Sequence, residues 1–308
     1  MRSPTQRALS RADVLSVLAD ALGDVGVVDA AELGGGTFAA VWRVALADGR
    51  EVVVKVAPPR SARLLTYEQG LIPAEAEYFR LVRDRAPGVP VPSVLAASDD
   101  WIVTTLVPGR PLTDGDAPRA RVELGAAVAA VHQISGPRFG YTGDRPSGPD
   151  WPTAFGAVVA ALRADAAAWD VPLPPLDGVV ERHHDVLAAV TRPALLHFDL
   201  WDGNVLVSPS GGLAGVVDGE RYLYGDPLLD LVSPALFRRI EDEPEHPFLR
   251  GYRPGPFDAA ARIRLSLYRI HLYVLMITEG PSRGIRRADG RHDQLTDLLN
   301  AELSRLAP

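Results

Sequence analysis

The segment 195-LLHFDLWDGNVLV-207 restricts this chain more than any other. Its flanks, LL and VLV, are apolar runs that want burial and read as strands. Between them sit His197, Asp199, Asp202 and Asn204, groups that an apolar interior rejects unless they are paired. Asp, Gly and Asn favour turns for local hydrogen-bonding reasons, so the polar knot alone could be a turn. A second segment changes that balance. Fourteen residues after Asn204 comes 216-VVDGE-220, another apolar strand that ends in carboxylates. Two such strands can bring Asp199, Asn204 and Asp218 together at their ends. A carboxylate and a neutral amide oxygen suit Mg²⁺, which takes few protein ligands and leaves room for phosphates. A second carboxylate, not committed to metal, can accept a proton from an attacking hydroxyl.

The N-terminal third is β-rich. Residues 31–57 hold a glycine triplet and two β-rich segments with Asp48-Gly49 between them, a strong hairpin signal. Lys55 lies within VVVKV, where a bare ammonium needs a partner or an outlet to water. Gly34, Gly35, Gly36 and Thr37 can let backbone N–H groups approach phosphates. Lys55, nineteen residues after the triplet, is then a phosphate ligand. A helix is predicted over 74–85, offering Glu75 or Glu77 to Lys55. Glu75 shares a face with Phe79 and Val82, Glu77 with Leu81, so periodicity leaves both open. Residues 101–107, WIVTTLV, read as a strand that stops at Pro108-Gly109.

A further helix is predicted over 10–22, after a Ser that can cap it. Beyond residue 111 the texture turns helical, at 117–134, 154–169, 177–191 and from about 227 onward, with short strands at 204–207 and 213–217. The class expected is α+β, with a β-rich lobe over 1–107 and a mainly helical lobe over 108–308. The net charge of −7 argues against nucleic acid or an anionic membrane as partner. With no cysteine, disulfides, thiolate metal sites and thiol catalysis are excluded. The most apolar stretch, 263–278, is broken by Arg and His and does not read as a membrane span. No apolar leader is visible at the N-terminus, and a cytoplasmic location is expected.

The order His-x-Asp-x4-Asn followed by Asp218 resembles the catalytic loop of the protein-kinase-like superfamily. The resemblance implies that Asp199 is the base, that Asn204 and Asp218 hold Mg²⁺, and that His197 supports the loop. Its register selects Glu75 as the partner of Lys55. It puts Thr104 at the gate of an adenine slot and the backbone of Thr105 and Val107 against the purine. Asp218-Gly219-Glu220 is followed at once by 221-RYLYGDPLLDL-231, without the long segment and Ala-Pro-Glu that dock a polypeptide. HFDLWDGNVLV, VVDGE and YGDPLLDL, in this order, are similar to the aminoglycoside phosphotransferase and choline kinase-like family over about residues 30–275. Phe198 stands where many of that family carry Gly. Asp226 and Asp230 match positions that cap helix and loop N–H groups.

The family resemblance implies a bilobed protein-kinase-like fold. It implies Mg²⁺-dependent transfer from ATP or GTP to a hydroxyl of a small molecule, with an antibiotic as the leading acceptor. The alternative is a metabolite such as an amino alcohol or a sugar. A pseudokinase acting as a binding module would be expected to lack Lys55, Asp199 or Asp218, and all three are present. Trp201, Asp202, Glu220 and Tyr222 are the candidates for substrate contact, with Glu220 equally a group close to the metal. The acidic stretch 241–256 is either a site for ammonium groups or a solvated loop. Oligomeric state is not legible.

Overall fold

The computed structural model describes residues 3–34, 36–285 and 289–307. Gly35 of the glycine triplet lies outside the described residues. The first element, α1 (Arg11–Leu22), is set by a capping box: the Ser10 hydroxyl accepts from Asp13 N–H while the Asp13 carboxylate accepts from Ser10 N–H. Five antiparallel strands follow: β1 (Val27–Leu33), β2 (Ala40–Leu46), β3 (Glu51–Val56), β4 (Val94–Ala97) and β5 (Trp101–Thr105), in the order β1-β2-β3-β5-β4. The Asp48-Gly49 turn joins β2 to β3, with Gly49 at φ +85°. Strand alternation then decides what β3 shows to each side. Val52, Val54 and Val56 pack with Val14 and Leu18 of α1, so Lys55 emerges on the opposite face. That face is covered by α2 (Leu71–Arg85), whose Phe79 and Val82 are buried.

The second lobe is mainly helical. In chain order it contains β6 (Arg110–Pro111), α3 (Pro118–Val131), β7 (Phe139–Gly140), β8 (Ser147–Gly148), α4 (Trp151–Ala168) and α5 (His184–Ala188). Then come β9 (Ala194–Leu196), β10 (Val205–Val207), β11 (Leu213–Val216), β12 (Leu223–Gly225), α6 (Pro247–Tyr252), α7 (Ala259–Thr278) and α8 (Arg291–Arg305). The single helix expected over 177–191 is instead a 3-10 turn, Glu181–His183, running into the short α5. Gly178, at φ +68°, breaks the helical path inside that span. The apolar stretch 263–278 lies within α7, where Leu265, Tyr268, Leu272 and Leu275 are buried in the lobe's core. Among the described residues no helix is long and apolar enough to cross a membrane.

The two apolar runs that flank the polar knot belong to different sheets. β9 pairs with β12, whereas β10 pairs with β11 and β6. The intervening loop is therefore stretched between two sheets. The acidic segment is partly the solvated loop expected of it, with Asp242 and Glu245 exposed, but three of its four acids are paired. Glu241 is buried and accepts from Arg269 at 2.6 and 3.0 Å. Asp242 pairs with Arg262 at 2.7 Å and Glu243 with Arg238 at 2.8 Å. Glu241 and Asp242 tie this segment to Arg269 and Arg262 of α7, and Glu243 pairs with Arg238, so these three acids are matched by arginines before any ligand arrives.

Candidate active site

The loop after β9 is held from below by Asp230, which is fully buried. Its carboxylate accepts from His197 N–H at 2.9 Å and Phe198 N–H at 2.6 Å, and bonds His132 Nε2 at 2.9 Å. This clamp holds Phe198 in the left-handed region at φ +67°, where a side chain other than glycine is strained. The Phe198 ring, 1% exposed, is anchored by stacking on His271 at 4.9 Å. His197 Nε2 lies 3.0 Å from the Val217 carbonyl, and its Nδ1 accepts from Asp199 N–H at 3.2 Å. Those partners select the Nε2–H tautomer. Burial lowers the His197 pKa, so the ring stays neutral and serves as a brace, as its place in the sequence predicts. Asp230→Ala leaves three donors without their acceptor in the interior. The loss is expected to be on the order of 3–5 kcal/mol. Urea denaturation reads it, and an unchanged midpoint would remove Asp230 from this role.

Asp199 follows in the loop with its side chain 25% exposed. Among the described residues its carboxylate has one cation near it, Arg221, whose Nε is 3.6 Å away. It is otherwise free to receive a hydroxyl. Asn204 is buried, and its Nδ2 donates to the Asp199 carbonyl at 2.9 Å, which leaves the amide oxygen for a cation.

Lys55 is 7% exposed, and its Nζ meets three carboxylates. Asp218 lies at 2.7 Å, Glu75 at 2.9 Å and Glu220 at 2.5 Å. Burial alone would lower the Lys55 pKa, but the fields of Asp218, Glu220 and Glu75 hold it well above the ordinary value. Burial pushes Glu75 up to about 8, with Lys55 pulling the other way and Asp218 and Glu220 adding repulsion. One ammonium among three carboxylates leaves an excess of negative charge. Ligand oxygens of Glu75, Asp218 and Glu220 lie within 4.8 Å of one another, so the cluster fits a divalent cation on both charge and spacing. Asp218 reaches it from the left-handed region, φ +60°, one that Asp tolerates better than most side chains. Gly219 is required behind it, because a Cβ there would lie 2.1 Å from the Tyr78 ring of α2.

The helix periodicity left Glu75 and Glu77 open, and packing separates them: Glu75 is buried against Lys55 while Glu77 is exposed. Thr104 is buried in β5. Thr105 N–H donates to the Ser93 carbonyl at 2.9 Å and Leu106 N–H to the Glu51 carbonyl at 3.1 Å. Among the described residues Val107 N–H makes no backbone hydrogen bond, so it is free to donate to a purine. Gly34 and Gly36 border open space. The Gly36 carbonyl accepts from Gln6 Nε2 and the Thr37 carbonyl from Thr5 Oγ1, each at 2.9 Å. No sequence signal linked residues 5–6 to the glycine loop.

Of the four residues expected at the substrate, Trp201 is 39% exposed beside the base. Its ring lies over Gly203, where a Cβ would come within 2.2 Å. Asp202 is held by both guanidinium nitrogens of Arg121 at 2.7 and 2.8 Å, so its charge is already met. Two expectations need correction. Glu220 is buried on Lys55 and belongs with the phosphate and cation groups. Tyr222 is fully buried, bonded to Thr142 Oγ1 at 3.0 Å and tilted against Tyr78, and has no surface to offer a substrate.

Sequence reasoning missed Arg221, whose only signal was its place directly after Asp218-Gly219-Glu220. Arg221 Nη2 donates to Glu279 at 2.9 Å, and its guanidinium lies 5.6 Å from the Tyr67 ring. Glu279 also accepts from the Tyr67 hydroxyl. These three come from the turn after β11, the loop before α2 and the end of α7. The cleft thus offers a cation-competent cluster, a carboxylate whose one nearby cation among the described residues is Arg221, and an aromatic and cationic wall.

Comparison with known proteins agrees with this layout. A family model described as the APH phosphotransferase enzyme family matches residues 29–265. The probable ketoamine kinase YniA of Escherichia coli strain K12 is 31% identical over 275 residues, covering 83% of this chain and 88% of that protein. The crystal structure of a putative fructosamine-3-kinase from Thermobifida fusca superposes with a TM-score of 0.70 at 26% identity, over 96% of this chain and 100% of the other. The gentamicin complex of the phosphotransferase APH(2")-IIa superposes with a TM-score of 0.64 at 16% identity, over 97% of both chains, a likeness of fold.

Proposed function

The chain belongs to the APH phosphotransferase enzyme family, a family of small-molecule kinases, and from that premise we propose that its acceptor is a ketoamine, a sugar joined to an amine. One hydroxyl of the sugar receives the γ-phosphoryl of ATP. The nucleotide lies between the lobe ending at residue 107 and the helical lobe that begins at 108. Its purine meets the backbone of Thr105 and Val107, and its phosphates meet Lys55 and the loop at 34–37. Asn204, Asp218 and, from the same cluster, Glu220 would hold Mg²⁺, which supplies charge neutralisation for the transferring phosphoryl group.

Asp199 holds the acceptor hydroxyl and takes its proton as the oxygen bonds to phosphorus and ADP departs. Lys55 keeps its charge through transfer because three carboxylates surround it. Trp201 offers the exposed ring face on which a sugar can stack.

The observation that carries this reading is sequence likeness over most of the chain to proteins named as ketoamine and fructosamine kinases. Aminoglycoside phosphotransferases share the fold at lower identity. The antibiotic reading also relied on the acidic segment, and Glu241, Asp242 and Glu243 are already paired with arginines. A cytoplasm, with ATP and Mg²⁺ at hand, is the compartment that fits.

The test is ADP release by the purified protein with ATP and Mg²⁺ against a fructosamine, a set of aminoglycosides and choline. Turnover of the fructosamine with kcat/KM at least about tenfold above every antibiotic is expected, a difference that specific hydroxyl recognition readily provides. Turnover of an aminoglycoside with none of the fructosamine overturns the reading.

A further inference from the structure

The short hairpin formed by β7 and β8 carries an arginine that no carboxylate among the described residues pairs with. Arg145 is 6% exposed. Its Nε donates to the Thr142 carbonyl and its Nη2 to Thr142 Oγ1, both at 3.2 Å. Its Nη1 is buried and makes no hydrogen bond among the described residues. No carboxylate lies within ion-pair distance of it among those residues. The carboxylates whose fields reach it are Glu77 and Glu220, and Glu220 is already bonded to Lys55. A buried guanidinium with neither a counter-charge nor full hydrogen bonding is costly, and interiors avoid it unless it has a use.

The surroundings give that use a direction. The Arg145 guanidinium lies 4.9 Å from the ring of Tyr141, which stacks with Tyr67 at 6.4 Å. Tyr67 in turn lies under Arg221, the cation 3.6 Å from Asp199. The Tyr141 hydroxyl is also buried without a partner, and the fields of Arg145, Arg221 and Asp199 all reach it. Burial pushes the phenol up to about 12, so it remains a donor. Two unpartnered donors, one on a cationic guanidinium and one on a neutral phenol, therefore sit on the wall that Tyr67 and Arg221 continue to Asp199. They lie in the turn of a hairpin whose Gly143 and Asp144 are exposed, and an anion reaches them when that turn shifts. An oxyanion satisfies both donors and the charge at once.

We propose that Arg145 Nη1 and Tyr141 Oη form a subsite for an anionic group on the acceptor, a carboxylate or a phosphate, so that the enzyme prefers acidic ketoamines to neutral ones. This rests on the ketoamine reading above. Arg145 is then a specificity determinant, separate from the groups that bind nucleotide.

Three acceptors test it: the ketoamine of glucose with glycine, the ketoamine of glucose with methylamine, and the ketoamine of glucose 6-phosphate with methylamine. The first two differ only by the carboxylate, and the third moves the anion to the sugar. The expected result is a kcat/KM at least about tenfold higher for one of the anionic acceptors than for the neutral one, carried mainly by KM. Which of the two gains identifies the anion. In Arg145→Gln that ratio falls to about one, and Arg145→Lys, which keeps the charge but loses the fork, retains part of it. A ratio near one in the native protein overturns the inference while leaving the ketoamine reading standing. A preference that survives Arg145→Gln overturns it also. Failure to turn over any of the three overturns both.

Discussion

Asp199→Asn is expected to lower kcat by about two to four orders of magnitude, the range a positioned general base supplies. The substitution keeps the shape of the side chain and both backbone bonds of residue 199, its N–H donating to His197 Nδ1 and its carbonyl accepting from Asn204 Nδ2. It removes the one carboxylate of the cleft that the protein leaves without a hydrogen-bonded partner among the described residues. Lys55 and the cation-competent cluster are untouched, so nucleotide affinity, read by calorimetry with ATP and Mg²⁺, should change by less than about threefold, an effect below 1 kcal/mol. A variant that turns over within threefold of the native rate would mean another group, or none, takes the hydroxyl proton.

The second large effect is expected at Asp218. Asn is the informative substitution there, because it tolerates the left-handed backbone at φ +60° and isolates the loss of charge from backbone strain. The cluster then keeps Glu75 and Glu220 around Lys55 and loses the negative charge of Asp218. Half-saturation by Mg²⁺ should rise at least about tenfold and kcat should fall by about two orders of magnitude, as when one preorganised electrostatic partner of a transition state is removed. The measurement is the initial rate against Mg²⁺ concentration at saturating ATP. An unchanged Mg²⁺ midpoint would take Asp218 out of the metal set.

The order of motifs was legible because each carries its own local physics. Asp48-Gly49 announces a hairpin by its backbone preference, and Ser10 with Asp13 announces a helix start. The alternation of Val52, Val54 and Val56 fixes Lys55 to the face away from α1 without any knowledge of what lies there. Elsewhere local rules ran out. Glu75 and Glu77 are equivalent to a helical wheel, and only the packing of α2 under the sheet buries one and exposes the other. Tyr222 reads as an aromatic next to a catalytic motif, but its neighbours Tyr78 and Thr142 enclose it from two other elements. Arg145 and Arg221 look like ordinary surface arginines in sequence. Arg145 lies against Tyr141 of its own hairpin, whereas Arg221 is covered by Tyr67 from a separate loop.

What the sequence determined by itself is the set of candidate groups and their chain order: a strand lysine, a loop with Asp199 and Asn204, and a strand that ends in Asp218. That much follows from spacing and from the chemistry of each side chain. Tertiary structure decided which of the nearby acids join them and what stands opposite the base. Lys55 and Asp218 are 163 residues apart, and they meet because α2 and the turn after β11 pack in the same cleft, with Gly219 small enough to admit Tyr78. Interactions between groups so distant leave no periodic trace in a single chain. They become visible only when burial makes each charge find its partner, and when one, Arg145, does not.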